Sequence, residues 1–280
     1  MNQPVFHTIA MTDSYPLVCR EWKPVGTVRG TIVCLHGIQS HGGWYDESCL
    51  RFAQRGYRVI FIDRRGSGLN TVKRGDTPSW QILIRDVESV IGYFNTPLPI
   101  TLLAISWGAK LAVLIAHCPY PWLSKIVLLT PAICARVGYS KQEKIQIARA
   151  VFSRRAEHMF PVPIPGPSYF THTKKWQDYI AADPNTLTTC TARFLYETNH
   201  INRLIHAPHP IQYPAFMLLA GDDKIVDNDR MRTYFSRYFS SPYNHCKMYE
   251  GCAHTLEFDN AELRFVDDII GWIEFPDTLC

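Results

Sequence analysis

The chain has 280 residues, of which 46% are hydrophobic and 19% charged, a composition that excludes a disordered or fibrous protein. The formal net charge is only +4 and the basic residues are scattered, so the sequence predicts no binding to nucleic acid. At this length we expect one large core carrying an inserted segment, rather than two independent domains.

Cysteine usage and the N-terminal segment bear on the location of the protein. The nine cysteines form no C-x-x-C pair and lie largely in apolar runs, which predicts reduced thiols buried as small hydrophobic side chains. The first residues lack a basic start followed by a long apolar stretch, so we expect neither a signal peptide nor a membrane anchor. The sequence therefore predicts a cytoplasmic protein with no obligate protein partner.

Short apolar and β-branched runs recur along the chain, and each ends in turn-forming or polar residues. Two of the intervening stretches, Trp44 to Gln54 and Trp80 to Phe94, have the periodicity of helices. This alternation predicts an α/β fold with a mostly parallel central sheet flanked by helices. The predicted strands are Val18 to Trp22, Gly30 to Leu35, Tyr57 to Ile62, Ile100 to Ile105, Ser124 to Leu129, Ala215 to Ala220 and Cys246 to Tyr249.

The strand and helix rhythm breaks over residues 131–213, which are proline-rich around Pro161 to Pro167 and otherwise mostly helical in character. We expect an inserted cap there, between a first core part at residues 1–130 and a second at residues 214–280. Within it, Gln142 to Arg155 predicts a basic amphipathic helix with Ile145, Ala148, Val151 and Phe152 on its apolar face. Such a helix could make transient contact with a membrane surface, but packing of its apolar face on the core is the more common arrangement.

Ser106 follows the predicted strand Ile100 to Ile105 in the pattern small-x-Ser-x-Gly, formed here by Ala104, Ser106 and Gly108. A sharp strand-to-helix turn that exposes a nucleophile needs small residues two positions before and after it. Alanine meets that steric need, although glycine is usual at the first position. The other interpretation of Ser106 is an ordinary helix N-cap.

A serine nucleophile needs a base, and the base needs a group that fixes its tautomer. Asp223 follows the predicted strand Ala215 to Ala220, and His254 follows the last predicted strand. The order Ser, Asp, His is typical of one class of serine hydrolase, so these residues are predicted to form a catalytic triad. Asp222 and Asp227 are the rival carboxylates, and the spacing to the following apolar residues favours Asp223.

The oxyanion of an acyl-transfer intermediate needs backbone N–H donors. Trp107 comes directly after Ser106 at the start of a predicted helix, so its N–H group is one candidate. The turn His36-Gly37-Ile38, after the second predicted strand, offers the N–H group of Ile38 as the other. Without the rest of the constellation, His36-Gly37 is equally well explained as a turn that ends a strand.

These residues together resemble the α/β-hydrolase superfamily, and within it the monoacylglycerol lipase and lysophospholipase-like branch. His36-Gly37, His41 and Tyr45 look like the H-G-x-x-x-H-x-x-x-Y segment of that branch. Asp63 to Asn70 looks like its D-x-R-G-x-G-x-S turn, with Asn70 in place of serine, and Asp183-Pro184-Asn185 is similar to a short motif of its cap. The resemblance implies an α/β-hydrolase fold.

In function, the resemblance implies hydrolysis of a small-molecule ester or lipid-like substrate through an acyl-enzyme on Ser106, with no cofactor. Alternatives on the same triad are acyl transfer and carbon–carbon bond hydrolysis, and a third is a non-catalytic ligand-binding relative. The bulky ring of Trp107 is expected to restrict the acyl pocket. His200, His206 and His209 are a superficial metal candidate, but their spacing does not match a known zinc motif, so we predict no metal site.

Overall fold

A computed structural model describes residues 3–95, 99–207, 209–259 and 262–275 of the chain. Its strands in chain order are β1 (Val5–Ala10), β2 (Pro16–Trp22), β3 (Gly30–Leu35), β4 (Tyr57–Ile62), β5 (Ile100–Ile105), β6 (Leu123–Leu129), β7 (Met159–Pro161), β8 (Thr189–Thr191), β9 (Ala215–Ala220) and β10 (His245–Tyr249). Its helices are α1 (Asp46–Gln54), α2 (Trp80–Phe94), α3 (Gly108–Ala116), α4 (Lys141–Phe152), α5 (Lys174–Ala182), α6 (Ala192–Leu204), α7 (Asn228–Tyr238), α8 (Leu256–Asp259) and α9 (Arg264–Glu274).

Eight of the described strands form one sheet in the order β1-β2-β4-β3-β5-β6-β9-β10. From β4 through β10 all neighbouring strands are parallel, whereas β2 pairs antiparallel with both β1 and β4. The prediction of a mostly parallel sheet flanked by helices is therefore confirmed. Because the sheet is mostly parallel, the loops after β5, β9 and β10 leave it at the same edge.

The predicted bounds of β3, β4, β5, β9 and α2 agree with the structure, and β2, β6 and β10 are longer by one or two residues. The edge strand β1 was missed because most of its side chains are exposed and it lacks a continuous buried apolar run. The antiparallel direction of β2 was also missed. Only residues 23–29 separate β2 from β3, which is too short for the helical crossover that joins most parallel strands.

The core lies on both faces of the central strands. Every residue of β3, β5 and β9 is buried, which explains their nearly continuous apolar sequences. Helix α3 is also buried at every position and follows β5 directly. Ser106, between β5 and α3, is thus held by two of the most deeply packed elements of the molecule.

Between β6 and β9 the chain forms α4, the antiparallel pair β7 and β8, and helices α5 and α6. Helix α4 begins at a capping box formed by Ser140 and Glu143 and ends at Phe152, three residues before the predicted end. The backbone of Arg154 has a φ of 62°, which is incompatible with a continuing helix.

The apolar face of α4 packs on the core only in part: Ala148 and Val151 are half-buried, and Val151 packs against the core. Ile147 is buried, but Ile145 and Phe152 are 53% and 75% exposed. Ile145 and Phe152 are thus exposed apolar side chains of α4, and the ring of Phe152 contacts that of Tyr196 on α6 edge to face.

Eight of the nine cysteines are described, and all eight are free thiols. Cys118 and Cys246 are exposed, contrary to the prediction of buried side chains: Cys118 lies two residues beyond the end of α3, and Cys246 is on the edge strand β10. Cys280 lies outside the described residues. No helix in the described part of the chain combines the length and apolar character needed to cross a bilayer.

Candidate active site

Ser106 occupies a sharp turn between β5 and α3. Its backbone has a φ of 52°, the left-handed region that non-glycine residues rarely adopt. The Ser106 N–H group donates to the carbonyl oxygen of Leu129 at 2.9 Å, and the Ser106 carbonyl accepts from the N–H group of Ala132 at 3.0 Å. The neighbouring strand β6 and the loop after it therefore stabilise this conformation from both sides.

Small residues around Ser106 make the turn possible. A Cβ atom on Gly108 would lie 2.5 Å from the Leu35 carbonyl oxygen, and one on Gly37 would lie 3.2 Å from Ser106 Cβ. Ala104 is fully buried, with Leu35 and Leu128 as its register partners on the two adjacent strands. The sheet thus accommodates the methyl group that stands where glycine is usual.

The structure brings the three predicted triad residues into one hydrogen-bonded line. His254 Nε2 lies 2.8 Å from Ser106 Oγ, and His254 Nδ1 lies 2.8 Å from Asp223 Oδ2. Because an ionised carboxylate can only accept, Nδ1 carries the proton and Nε2 is free to accept from the serine hydroxyl. All three side chains are buried.

Asp223 is anchored separately from its contact with His254. Its Oδ1 atom accepts hydrogen bonds from the N–H groups of Ile225 at 2.7 Å and Val226 at 2.9 Å. The rival carboxylates lie elsewhere: Asp222 is exposed and 3.3 Å from His172, and Asp227 caps helix α7. Of the three neighbouring aspartates, Asp223 is the one that contacts His254.

The loop after β3 passes directly beside Ser106. A Cβ atom on Gly37 would lie 3.5 Å from Ser106 Oγ, and Ile38 lines the same cavity as Ser106 and Trp107. The guanidinium of Arg64 donates to the carbonyl groups of Gly37 at 3.3 Å and Ile38 at 3.2 Å. Because Arg64 holds the two carbonyl oxygens, both peptide units have a fixed orientation beside Ser106.

His36 supports this loop as a neutral ring. Its Nε2 atom accepts from the N–H group of Arg64 at 2.8 Å, so Nδ1 is the protonated nitrogen and donates to the Gly37 carbonyl at 2.7 Å. Burial lowers the pKa of His36 to about 3, which agrees with that tautomer. His36 is thus a structural residue of the loop and has no contact with the triad in this arrangement.

The other motif residues connect the loop to the segment between β6 and β9. Asp183 Oδ2 lies 2.7 Å from His41 Nε2 and accepts from Trp44 Nε1 at 2.9 Å. Tyr45 donates to Ser40 Oγ, which in turn accepts from the N–H group of Gly37. Residues far apart in the chain therefore position the turn that lies beside Ser106.

The turn from Asp63 to Asn70 is held by buried polar contacts. Asp63 is fully buried, pairs with Arg20 at 2.7 Å and accepts from the N–H groups of Gly42 and Leu69. Asn70, at the position where serine is usual, donates to the Asp63 carbonyl at 2.6 Å and accepts from the N–H group of Val18 at 2.8 Å. The amide thus links β2 to this turn with both ends of its side chain.

A cavity of about 620 Å³ opens at Ser106, within the volume range of small-molecule binding sites. Much of its wall is apolar and comes from the segment between β6 and β9, with residues such as Ile133, Val137, Ile147 and Ile164. The ring of Trp107 also lines it, with its Nε1 atom 3.3 Å from Thr198 Oγ1 and its ring centre 5.2 Å from that of Phe194. Trp107 is therefore fixed in place as part of the cavity wall.

Lys110, on the first turn of α3, also lines this cavity and was not among the predicted site residues. A single charged residue within an otherwise small and apolar helix was the available signal.

The histidines considered as metal ligands lie elsewhere: His206 packs against Tyr234, and His200 against Tyr196. Among the described residues, no three His, Cys, Asp or Glu side chains are grouped so that they could hold a metal ion.

Residues 26–261 match the model of the family described as serine aminopeptidase, S33. The chain is 25% identical over 273 residues to a monoglyceride lipase of Mus musculus, an alignment that covers 93% of this chain and 88% of the mouse protein. It is 24% identical over 270 residues to an uncharacterized abhydrolase domain-containing protein of Dictyostelium discoideum, covering 94% of this chain but only 28% of that protein.

Among solved structures, the chain is similar to a soluble variant of monoglyceride lipase from Saccharomyces cerevisiae in complex with a substrate analog. The TM-score is 0.82 at 16% identity, and the match covers 99% of this chain and 97% of the other. At that identity the similarity establishes the fold.

Proposed function

Because the chain belongs to the family described as serine aminopeptidase, S33, and has the α/β-hydrolase fold, we propose that it is a lipase-like serine hydrolase that cleaves carboxylic esters. The similarity to monoacylglycerol lipases that the motifs indicated is confirmed by the relatives. Relatives are named monoglyceride lipase, phospholipase and probable lysophospholipase, so the substrate proposed for this chain is a lipid-like ester. These names favour neither acyl transfer nor carbon–carbon bond cleavage.

One observation carries the proposal: Ser106, His254 and Asp223 form a hydrogen-bonded line beside a cavity large enough for an ester. In the proposed mechanism Ser106 Oγ attacks the ester carbonyl carbon while its proton passes to His254 Nε2. The carboxylate of Asp223 stabilises the imidazolium, and the N–H groups of Ile38 and Trp107 bind the oxyanion. His254 then gives its proton to the departing alcohol, which leaves an acyl group on Ser106.

The second half of the reaction repeats these steps with water. His254 removes a proton from a water molecule, which attacks the acyl carbonyl, and the proton returns to Ser106 as the carboxylic acid departs. No cofactor takes part in this sequence. An acyl group is transferred in both halves, and the overall reaction converts an ester and water into an alcohol and a carboxylic acid.

We further propose that residues 131–213 form a cap over the substrate. The cavity supports this division, because its wall combines core residues such as Ser106 with Ile147 of α4 and Leu195 of α6.

The exposed Ile145 and Phe152 of α4 lie beside Lys144 and Arg149, a combination suited to transient contact with an anionic membrane surface. Sedimentation with anionic vesicles tests this contact, and we expect weaker binding by Phe152→Ser.

The charges in the cavity favour an ester substrate over a peptide with a free N-terminal amino group. An aminopeptidase must bind the free ammonium group of its substrate, which calls for a carboxylate. The described residues lining the cavity include Lys110, Lys144 and Arg203 but no aspartate or glutamate. A substrate ammonium would therefore meet only like charges there.

Labelling with a fluorophosphonate probe tests the assignment of the nucleophile. We expect labelling of the wild type, loss of labelling in Ser106→Ala, and full labelling in Ser236→Ala, a control at an exposed serine of α7. Turnover of p-nitrophenyl butyrate should follow the same pattern, with no turnover of an amino acid p-nitroanilide. Normal labelling and turnover in Ser106→Ala would rule out the proposed mechanism.

A further inference from the structure

Lys110 is a buried cation in the wall of the cavity that contains Ser106. Its side chain is 6% exposed, and its Nζ atom donates to Asn202 Oδ1 at 2.5 Å. Asn202 is on α6, so this contact joins the helix after the nucleophile to the segment between β6 and β9. A lysine ammonium has three N–H donors, and Asn202 takes up one of them.

The charge of Lys110 has no counterpart around it. In the part of the chain that the structure describes, no carboxylate forms an ion pair with Lys110. The residue also lies in the first turn of α3, where the aligned peptide dipoles place partial positive charge. Burial lowers the pKa of Lys110 to about 8, so the ammonium is still largely protonated at pH 7.

The rest of the cavity wall also contains cationic residues and no acidic ones among those described. Helix α6 presents Thr198, Asn199, Asn202 and Arg203 to the cavity, positions spaced so that they share one helix face. Lys144 adds a third cation, and no acidic residue is among the described residues of the wall. Most of the other lining residues are apolar, such as Ile133, Val137 and Ile164, so the cavity offers both cationic and hydrophobic contacts.

A buried ammonium without an opposite charge is costly to the folded chain, and a bound anion removes that cost. We propose that Lys110 binds an anionic group of the ester substrate, a carboxylate or a phosphate, while the hydrocarbon part of the substrate lies against the apolar lining residues. This inference rests on the proposed ester hydrolysis and adds the class of substrate: an amphiphilic ester with a negative charge. Asn202 acts as a positioning residue that directs the ammonium into the cavity.

Two matched pairs of substrates distinguish the sources of the negative charge. The carboxylate on the acyl side is tested with the mono-p-nitrophenyl ester of glutaric acid against p-nitrophenyl pentanoate. The phosphate on the alcohol side is tested with a 1-acylglycerol 3-phosphate against the monoacylglycerol of the same chain length. We expect the wild type to prefer the charged member of at least one pair by tenfold or more in kcat/KM.

Replacing the cation should remove that preference selectively. For Lys110→Met we expect kcat/KM to fall about 10- to 100-fold on the charged ester, mainly through KM, because a charge-assisted hydrogen bond is lost. The neutral ester should change by less than about threefold. Lys110→Arg should keep the preference, and Lys174→Met serves as a control because that lysine is 79% exposed on α5.

A binding measurement keeps the inference separate from the proposed catalysis. The fluorescence of Trp107, in the same wall, can be titrated with decyl phosphate, decanoate and decanol in Ser106→Ala, with and without Lys110→Met. Tighter binding of an anion than of decanol, lost on Lys110→Met, supports the anionic site even if no ester is hydrolysed. Equal losses of kcat/KM on charged and neutral esters in Lys110→Met would show that Lys110 only joins two helices. If the three ligands also bound with equal affinity, the inference would be overturned.

Discussion

The change of Asp223 to asparagine tests the proposed triad through the tautomer of His254. Asp223 Oδ1 accepts from two backbone N–H groups, at 2.7 and 2.9 Å, so the asparagine oxygen must occupy that position. The amide NH₂ group then faces His254 Nδ1, which must accept from it. The ring proton is displaced to Nε2, and Ser106 loses the acceptor for its hydroxyl proton.

The expected effect on turnover is large and the effect on folding small. Asparagine keeps the two backbone contacts, so we expect the free energy of unfolding to change by about 1 kcal/mol or less. A base held in the wrong tautomer, without a carboxylate to stabilise its protonated form, lowers kcat about 10⁴-fold in a serine protease with the same triad. This corresponds to about 5.5 kcal/mol in the activation barrier.

The assay is the hydrolysis of p-nitrophenyl butyrate at saturating concentration, with circular dichroism to verify the fold. Asp222→Asn is the matched control, because Asp222 is the preceding residue and its side chain is exposed. We expect that control to stay within about threefold of the wild type. If Asp223→Asn kept more than a tenth of wild-type kcat while folded, the assignment of Asp223 would be wrong.

Three further predictions concern the support of the site. Burial raises the pKa of Glu257 to about 8 from 4.5, so the folded chain keeps a proton that the unfolded chain releases, and stability falls from pH 4.5 up to pH 8. By pH 7 this loss of stability is roughly 3 kcal/mol relative to Glu257→Gln. If the free energies of unfolding in urea changed equally for the wild type and Glu257→Gln between pH 5 and pH 7, this prediction would be wrong. Asp63→Asn should lower the free energy of unfolding by about 3 kcal/mol or more, because Arg20 is left buried without its counter-charge; a loss below 1 kcal/mol in urea would refute this. Gly108→Ala places a methyl group 2.5 Å from the Leu35 carbonyl, so we expect at least a tenfold loss of ester turnover, and wild-type turnover would show that the elbow has more room than described.

Much of the sheet could be predicted because its strands are buried on both faces. An apolar run such as Gly30–Leu35 has sharp ends, since turn-forming or polar residues must follow once the strand leaves the core. The same logic placed Ser106, Asp223 and His254 after strands that end at one edge of the sheet. Residue type, chain order and position after a strand together were enough to select residues that the structure brings within hydrogen-bonding distance.

Features that depend on contacts between distant residues could not be predicted in the same way. The side chains of Lys110 and Asn202 meet across 92 positions of the chain, and neither has a local pattern that points to the other. The exposure of Ile145 and Phe152 likewise depends on where α4 lies against the core, which its periodicity does not specify. Strand β1 gave no signal because a solvated edge strand needs few apolar residues.

The order of strands in the sheet has a consequence for biosynthesis. The proposed nucleophile follows β5 in the interior of the sheet, whereas its partners follow β9 and β10, the outermost pair on that side. A ribosome makes these parts in sequence, so a nascent or prematurely terminated polypeptide that stops before His254 carries Ser106 without its base. In the proposed mechanism, ester cleavage therefore begins only after the last two strands have docked.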